Sequence, residues 1–202
     1  MITGCGTGAR QSASKPRKFT VAIPSVTFPA AQRLAQRTHL VITVRNAGAR
    51  TIPDIAASIC NVTCDYPAPP GQASSAQAFA EDLTTPNLAD RSRPVWIIDR
   101  PPGACRFSCP SGGAGAAVTA YSNTWALGSL APGSTARFDW AVTAVTPGRH
   151  VVAWQIAAGL GGDARAVLAN GSTPEGRFRI TVSSAPQRSY VNAQGQVVKI
   201  GP

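Results

Sequence analysis

The chain is poor in the residues from which metal centres and acid–base sites are built. Its 202 residues include nine acids, two histidines and one methionine, which is residue 1. This excludes a methionine-ligated copper site, and two histidines leave little material for a histidine-based metal centre. The motifs G-x-S-x-G, H-E-x-x-H and the phosphate-binding P-loop do not occur. We therefore expect no catalytic site, no metal and no cofactor.

Long apolar runs and helix-forming residues are also scarce. No run of about 18 apolar residues occurs, so the printed sequence contains no candidate membrane-spanning helix. Lysine and glutamate are few, whereas there are 19 glycines and 17 prolines. This composition favours short strands joined by turns over helices. The hydrophobic share of 44% is enough for a core, and the length suits one domain.

The net charge of +10 is dispersed along the chain. Most basic residues are arginines that stand singly, and Arg91 and Arg93 form the densest pair within the domain. Nucleic-acid-binding proteins concentrate basic residues on one face and add aromatic stacking platforms, so no nucleic-acid partner is expected. The charge either attracts the protein to anionic lipids or wall polymers, or it belongs to an ordinary surface on which arginine replaces lysine.

Apolar residues alternate with polar ones in a series of short segments. Such alternation predicts strands with one buried face, and turn signals separate the segments at intervals of about ten residues. This pattern is typical of an immunoglobulin-like β-sandwich of seven to eight strands. The predicted strands are 19–28, 38–46, 52–64, 118–127, 135–145, 150–158, 165–169 and 177–182.

The N-terminal segment resembles the end of a bacterial lipoprotein signal, the lipobox. Residues 2–4, Ile-Thr-Gly, supply the aliphatic, small and glycine positions that precede Cys5. The resemblance implies that Cys5 is lipidated outside the cytoplasm and anchors the protein to a membrane, with the basic and apolar parts of the signal encoded upstream. Residues 7–18 are polar and suit a tether. The alternative is a free cysteine in a disordered N-terminus.

The sequence predicts three parts. Residues 1–18 are the lipobox remnant and flexible tether, 19–184 the sandwich, and 185–202 a tail or a small hairpin around Gln194-Gly195. Residues from about 65 to 115 are rich in proline and have too few apolar residues to fold as a second domain, so we interpret them as an insertion. Within the insertion, 74–83 suits a short helix and 95–98 a brief strand.

Two stretches resemble the bacterial immunoglobulin-like domains of the CARDB type. Residues 40–48, Leu-Val-Ile-Thr-Val-Arg-Asn-Ala-Gly, with Ile-Pro-Asp-Ile at 52–55, resemble their opening strand, Arg/Lys-Asn-x-Gly turn and next strand. Residues 127–133, Phe138-x-Trp140 and Thr-Pro-Gly at 146–148 resemble their second half. The resemblance implies the sandwich fold but no particular ligand, because one sandwich hosts many roles.

Four further cysteines repeat a single spacing, namely Cys60, Cys64, Cys105 and Cys109. An extended segment of this spacing separates its ends by about 13 Å, too far for a local disulfide. If the two segments were antiparallel neighbours, both pairs across them would fall in register. Local pairing in tight loops and a four-thiolate metal site are the alternatives. An extracytoplasmic address favours disulfides, with the connectivity open.

The tryptophans supply the remaining candidate sites. Trp140 and Trp154 fall in phase with buried positions, which predicts that they belong to the core. Trp96 and Trp125, together with Arg91 and Arg93, are the candidate surface-binding residues. The sequence thus predicts a non-catalytic interaction or structural module of the cell envelope with an unknown protein or polymer partner. The alternative is an envelope protein that binds a small ligand or a polysaccharide through the insertion loops.

Overall fold

Alternating apolar residues build an all-β structure. It is a computed structural model that describes residues 16–62, 64, 79–81, 94–103, 123–160, 163–186 and 188–200. These residues form 13 strands, and among them no helix is long and apolar enough to cross a membrane. In chain order the strands are β1 (Arg17–Thr27), β2 (Ala31–Leu34), β3 (Arg37–Asn46), β4 (Ala56–Asn61), β5 (Phe79–Glu81), β6 (Trp96–Arg100), β7 (Thr124–Ala126), β8 (Thr135–Ala144), β9 (Gly148–Ala157), β10 (Ala164–Val167), β11 (Glu175–Pro186), β12 (Ser189–Val191) and β13 (Val197–Lys199).

All but the last two of these strands form two sheets that pack face to face. The six-stranded sheet has the order β10-β1-β3-β8-β6-β5, and the five-stranded sheet has the order β2-β11-β9-β4-β7. The predicted immunoglobulin-like β-sandwich is confirmed. The strands outnumber the seven or eight expected because β6, β12 and β13, which the sequence places in the insertion and the tail, add to them, and because β2 and β5 hold only four and three residues. Such short strands show too little alternation to be recognised.

The core lies between the sheets and consists of the inward residues of alternating strands. On β3 these are Leu40, Ile42 and Val44, and on β8 they are Phe138, Trp140 and Val142, all fully buried. Trp154 on β9 is buried over Gly176 of β11, where a Cβ atom would come within 2.7 Å of the indole Cζ2. The core positions predicted for Trp140 and Trp154 are therefore confirmed.

Strand β1 leaves the six-stranded sheet before that sheet ends. Its pairing with β3 stops at Thr27 opposite Val41. Pro29 follows, and because proline has no N–H to continue the ladder, the chain departs there. It crosses to the other sheet, where β2 pairs with β11. The first residues of β3 are consequently left without a neighbouring strand on the β1 side.

The loop after β3 is organised by the side chain of Asn46. This side chain is almost fully buried. Its amide donates to the carbonyl oxygens of Arg50 at 2.9 Å and Leu130 at 2.8 Å, and its oxygen accepts from the Gly48 N–H at 3.0 Å. The Asn-x-Gly motif is thus a three-bond clamp that joins the turn to a distant segment of the chain.

Part of the proposed insertion belongs to the sandwich. Strands β5 and β6 both lie within residues 65–115 and complete one side of the six-stranded sheet. The predicted helix over 74–83 is wrong at Phe79–Glu81, which pairs with β6 as a strand. Phe79 is fully buried and meets the rings of Trp96 and Trp140 at centroid distances of 5.8 and 6.5 Å. Burial of this ring overrides the local helix propensity.

The C-terminal residues form a hairpin separate from both large sheets. Strand β12 pairs only with β13, and the turn contains Gln194 and Gly195, as the turn chemistry of the sequence indicates. Tyr190, Val191 and Val197 are 54, 65 and 70% exposed. The described part of the hairpin therefore adds little to the core.

We predict that ending the chain after Pro186 leaves the melting temperature within about 2 °C of the full-length value. The physical reason is that the hairpin strands pair with neither large sheet and that Tyr190, Val191 and Val197 are mostly exposed. Differential scanning calorimetry of the two proteins measures the difference. A fall of more than about 5 °C would mean that the hairpin packs against the rest of the chain.

Candidate functional site

A network of charges covers the outer face of the six-stranded sheet. The Nδ1 atom of His39 on β3 lies 2.7 Å from Oδ1 of Asp139 on β8. Arg137 and Arg100 approach the other carboxylate oxygen at 3.4 and 3.9 Å. Beside them, Arg37 pairs with Asp99 at 3.2 Å. Three arginines and a histidine therefore surround two aspartates, which leaves this face with an excess of positive charge.

The pKa of Asp139 lies below its usual value of 3.8. Partial burial raises this pKa, but the hydrogen bond and positive charge of His39, with a contribution from Arg137, outweigh the burial and lower it. Because the shift is downward, Asp139 stabilises the folded state above the unfolded pKa of about 3.9, and the contribution is lost as pH falls through the lower folded pKa.

We predict that Asp139→Asn destabilises the protein by about 0.5–1 kcal/mol at neutral pH, as expected for a half-exposed cluster. The difference from wild type should shrink as pH falls below about 4 and vanish below the folded pKa. Urea titrations at a series of pH values measure this. Asp163→Asn, at an exposed aspartate, is the matched control and should show no such trend. A difference that persists in acid would rule out the ion pairs as its source.

The backbone N–H and carbonyl groups of the even-numbered β3 residues form hydrogen bonds with β8. At one end of the strand the backbone N–H of Asn46 donates to the carbonyl oxygen of Ser134 at 2.9 Å. At the other end the backbone N–H of Ala144 donates to the carbonyl oxygen of Gln36 at 3.1 Å. Antiparallel neighbours alternate between bonded and non-bonded pairs, and the register with β8 is continuous. The odd-numbered residues of β3 therefore direct their backbone groups toward β1.

His39 is one of these odd-numbered residues, but β1 no longer runs beside β3 at the position of His39. The last pair between the two strands is Thr27 with Val41. No backbone group in the described part of the chain bonds to the N–H or carbonyl of His39 on this side. A short stretch of open sheet edge, from Arg37 to Leu40, thus lies inside an otherwise paired sheet.

An open cleft of about 670 Å³ occupies the gap beside this edge. Its apolar part includes Phe28, Pro29, Val41 and Phe178, and its rim carries Arg37 and His39. Phe28 and Val41 are buried, whereas the side chains of Arg37 and His39 are about half exposed. The cleft combines an apolar floor, a cationic rim and unpaired backbone groups, which suits binding rather than bond-making chemistry. Below it is called the β3 cleft.

The two tryptophans proposed for surface binding do not lie at the surface. Trp96 is fully buried and donates its indole N–H to Oε1 of the buried Gln32 at 2.7 Å. Trp125 is 2% exposed and stands edge-on to Trp140 at a centroid distance of 5.4 Å. The surface-binding assignment of Trp96 and Trp125 is therefore wrong. Both strands that carry them pair within a sheet, so their inward side chains enter the core.

One of the cysteine pairings is local. Cys60 and Cys64 form a disulfide with their Cα atoms 5.2 Å apart. The chain is not extended between them, because Val62 adopts a positive φ of 65° and turns it back. Positive φ is rare for a β-branched residue, so the sequence offers no signal for this turn. Closing a loop of this size stabilises the fold by about 2 kcal/mol.

Several predicted sites lie outside the described residues: Cys5, Arg91, Arg93, Cys105 and Cys109. Lipidation of the first and disulfide bonding of the last two stay predictions. Within the described residues, no group of three or more histidine, cysteine or acidic side chains could hold a metal ion.

Sequence reasoning missed the β3 cleft. Its one signal was Pro29, which ends the alternation of 19–28 shortly before the next predicted strand begins. A proline at that point stops a ladder, but it does not say that the chain changes sheets. The distance between Phe178 and Phe28, whose ring centroids are 5.7 Å apart, follows only from the packing of the two sheets.

Comparison with known proteins gives no family for this chain. No family model matches it, and no curated protein matches it. Similar solved structures include native alpha-2-macroglobulin of Escherichia coli, with a TM-score of 0.40, 12% identity and coverage of 84% of this chain but 7% of that one. They also include the CARDB domain of PF1109 from Pyrococcus furiosus, in solution (TM-score 0.43, 8% identity, coverage 83 and 97%) and in a crystal with di-metal ions (0.41, 10%, 86 and 99%).

This chain therefore spans a small fraction of the macroglobulin and nearly the whole of the CARDB domain. CARDB domains are the family that the sequence motifs resemble. At TM-scores below 0.5 these similarities assign no ligand and no activity, and the sandwich itself is established by the strand order described above.

Proposed function

We propose that this protein is a non-catalytic interaction module of the cell envelope that binds a partner protein through the β3 cleft. The observation that carries the proposal is the cleft itself, where an apolar floor lies beside the half-exposed side chains of the cationic Arg37 and of His39. Its lining suits an apolar segment that carries acidic groups.

The openness of the cleft favours a segment of a larger partner over a small molecule. Sites for small ligands enclose most of the ligand surface, whereas the β3 cleft is open along the sheet edge between Thr27 and Arg37. The second candidate function is binding of a small ligand or an envelope polysaccharide. Phe178 favours a polysaccharide, because a half-buried aromatic ring at the cleft can pack against the apolar side of a sugar.

An extracytoplasmic location agrees with the cysteine chemistry. The Cys60–Cys64 disulfide is of a kind that persists in oxidising compartments and is rare in the cytosol. The lipobox resemblance at Cys5 gives the same address and adds an anchor. Together these two features support a lipid-anchored protein outside the cytoplasm.

The start of β1 and the β3 cleft lie at opposite ends of that strand. The tether enters the sandwich at Arg17, and β1 ends beside the cleft at Thr27. Ten steps along a strand span about 33 Å. A tether that joins the sandwich at Arg17 therefore attaches at the end of β1 that is farther from the β3 cleft.

Site-specific photo-crosslinking in cells tests the proposed function. A benzoylphenylalanine at Thr27, an exposed residue of the cleft, is expected to give a discrete protein adduct. The matched position is Thr135, which is also exposed but lies at the far end of the same sheet. A glycan adduct at Thr27 would favour the second candidate function. Equal labelling at both positions, or none at Thr27, would contradict both.

The anchor is tested separately. We expect the chain, expressed with its own upstream sequence, to incorporate a palmitate analogue and to fractionate with membranes. Cys5→Ala should abolish both results while leaving the crosslink at Thr27 intact in the soluble fraction. Retention of the label in Cys5→Ala would contradict lipidation at this residue.

A further inference from the structure

We propose that the occupant of the β3 cleft is an extended acidic segment of a partner, which adds to β3 as a strand beside His39. This inference rests on the proposed function and specifies its binding mode and the chemistry of the partner. It follows from three features of the described residues, namely the open backbone edge, the alternation of the cleft walls and the surrounding charge.

The backbone edge supplies the directional contacts. The N–H and carbonyl of His39 point into the gap left by β1, and no described backbone group bonds to them there. A peptide strand placed in line with β1 would complete the hydrogen bonding of this edge. Strand addition of this kind gains affinity from main-chain bonds and specificity from side chains that alternate between two faces.

The two faces of the gap carry different side chains, so an added strand would contact a different environment on each face. On the inward side, Phe28 and Phe178 form an apolar wall, and the buried Thr38 also lines the cleft there. On the outward side lie Arg37 and His39, with Val41 at the β1 end of the gap. Paired residues of neighbouring strands share a face. The segment that fits therefore alternates apolar residues, directed inward, with acidic residues, directed outward.

Charge selects the class of occupant. The outer face carries Arg37, His39, Arg100 and Arg137 around two aspartates. An acidic segment complements this excess, whereas the net charge of +10 opposes a second copy of the chain. The only exposed apolar strands among the described residues, β12 and β13, lie in a stretch without acids after Glu175 and are poor candidates for the same reason.

The gap also limits the length of the added strand. It extends from the last β1 pair at Val41 to the start of β3 at Arg37. These four steps correspond to about 13 Å. A segment with two inward and two outward residues fills the gap, so affinity in this mode is modest and depends strongly on charge.

Titration of the full chain with defined peptides tests the inference. The probe is a short peptide that alternates glutamate and valine, and the comparison peptides replace glutamate by lysine or carry N-methyl groups on the glutamate amides. We expect the first to bind at least about tenfold more tightly than either comparison peptide. Binding should slow hydrogen exchange of the His39 amide, measured by NMR.

Charge variants supply the matched control. Arg37→Glu should weaken binding of the glutamate peptide by about tenfold, whereas Arg45→Glu, on the same face of β3 but outside the cleft, should change it less than about twofold. NMR spectra of both variants verify that the sandwich remains folded.

Equal binding of the glutamate and lysine peptides, or unchanged affinity after N-methylation, would overturn the inference. Binding only to phosphatidylglycerol vesicles, or self-association alone, would overturn it as well. A crosslink at Thr27 in cells that persists while the peptides fail would separate the two claims, because the partner site would stand and the strand-addition mode would not.

Discussion

Replacing Trp96 by alanine is expected to lower the free energy of unfolding by about 3–5 kcal/mol, the range for a large aromatic residue removed from a core. The ring is fully buried, and its centroid lies 5.3 Å from that of Phe28 and 5.8 Å from that of Phe79. The change also leaves Oε1 of Gln32 buried without its donor. Chemical denaturation with fluorescence or circular dichroism measures the loss.

Trp96→Phe separates the two contributions. It keeps most of the ring volume but removes the indole N–H, so we expect a loss of about 1–3 kcal/mol from the unpaired Gln32 oxygen and the smaller ring. A loss below about 1 kcal/mol for Trp96→Ala would place the side chain at the surface, as the sequence alone suggests, and would remove β6 from the sheet.

Replacing Asn46 by alanine is expected to cost about 2–4 kcal/mol, because three hydrogen bonds of a buried side chain are lost together. The carbonyl groups of Arg50 and Leu130 lose their donor, and the Gly48 N–H loses its acceptor. The two segments joined by the clamp also loosen, so the protection of nearby amides should fall. Urea unfolding gives the energy, and hydrogen exchange gives the location.

Two further variants test the clamp. Asn46→Asp should be at least as destabilising as alanine at neutral pH, because a carboxylate faces two carbonyl oxygens, and it should recover in part when acid restores one donor. Asn170→Ala is the control. Its side chain accepts from Ser172 in an exposed turn, so its loss should cost about 0.5 kcal/mol. Equal losses at Asn46 and Asn170 would contradict the clamp.

Periodicity predicts the half-buried strands because their environment alternates. On β3, Leu40, Ile42 and Val44 face the core. Outward neighbours such as Arg45 face water, so the period of two is visible in the sequence. The same reasoning places Trp140 and Trp154 correctly. It fails at Trp96, which lies in a proline-flanked segment whose burial depends on Phe79 and on β8, both distant in sequence.

The cleft and the disulfide depend on local geometry that residue patterns do not encode. Val62 takes a positive φ although β-branched residues disfavour it, and this turn brings Cys64 back to Cys60. Pro29 marks the end of a ladder, but the transfer of the chain to the other sheet is decided by how β2 pairs with β11. Only the assembled sandwich reveals that His39 is left with an open edge.

Amide hydrogen exchange of the free protein tests whether the edge of β3 is open at His39. We predict that the His39 amide exchanges quickly, because it faces the gap beside β3. The amides of Leu40 and Ile42, which bond to β8, should be protected on the order of a thousandfold more strongly. Protection of His39 equal to that of Leu40 would contradict the open edge, and with it the proposed mode of binding.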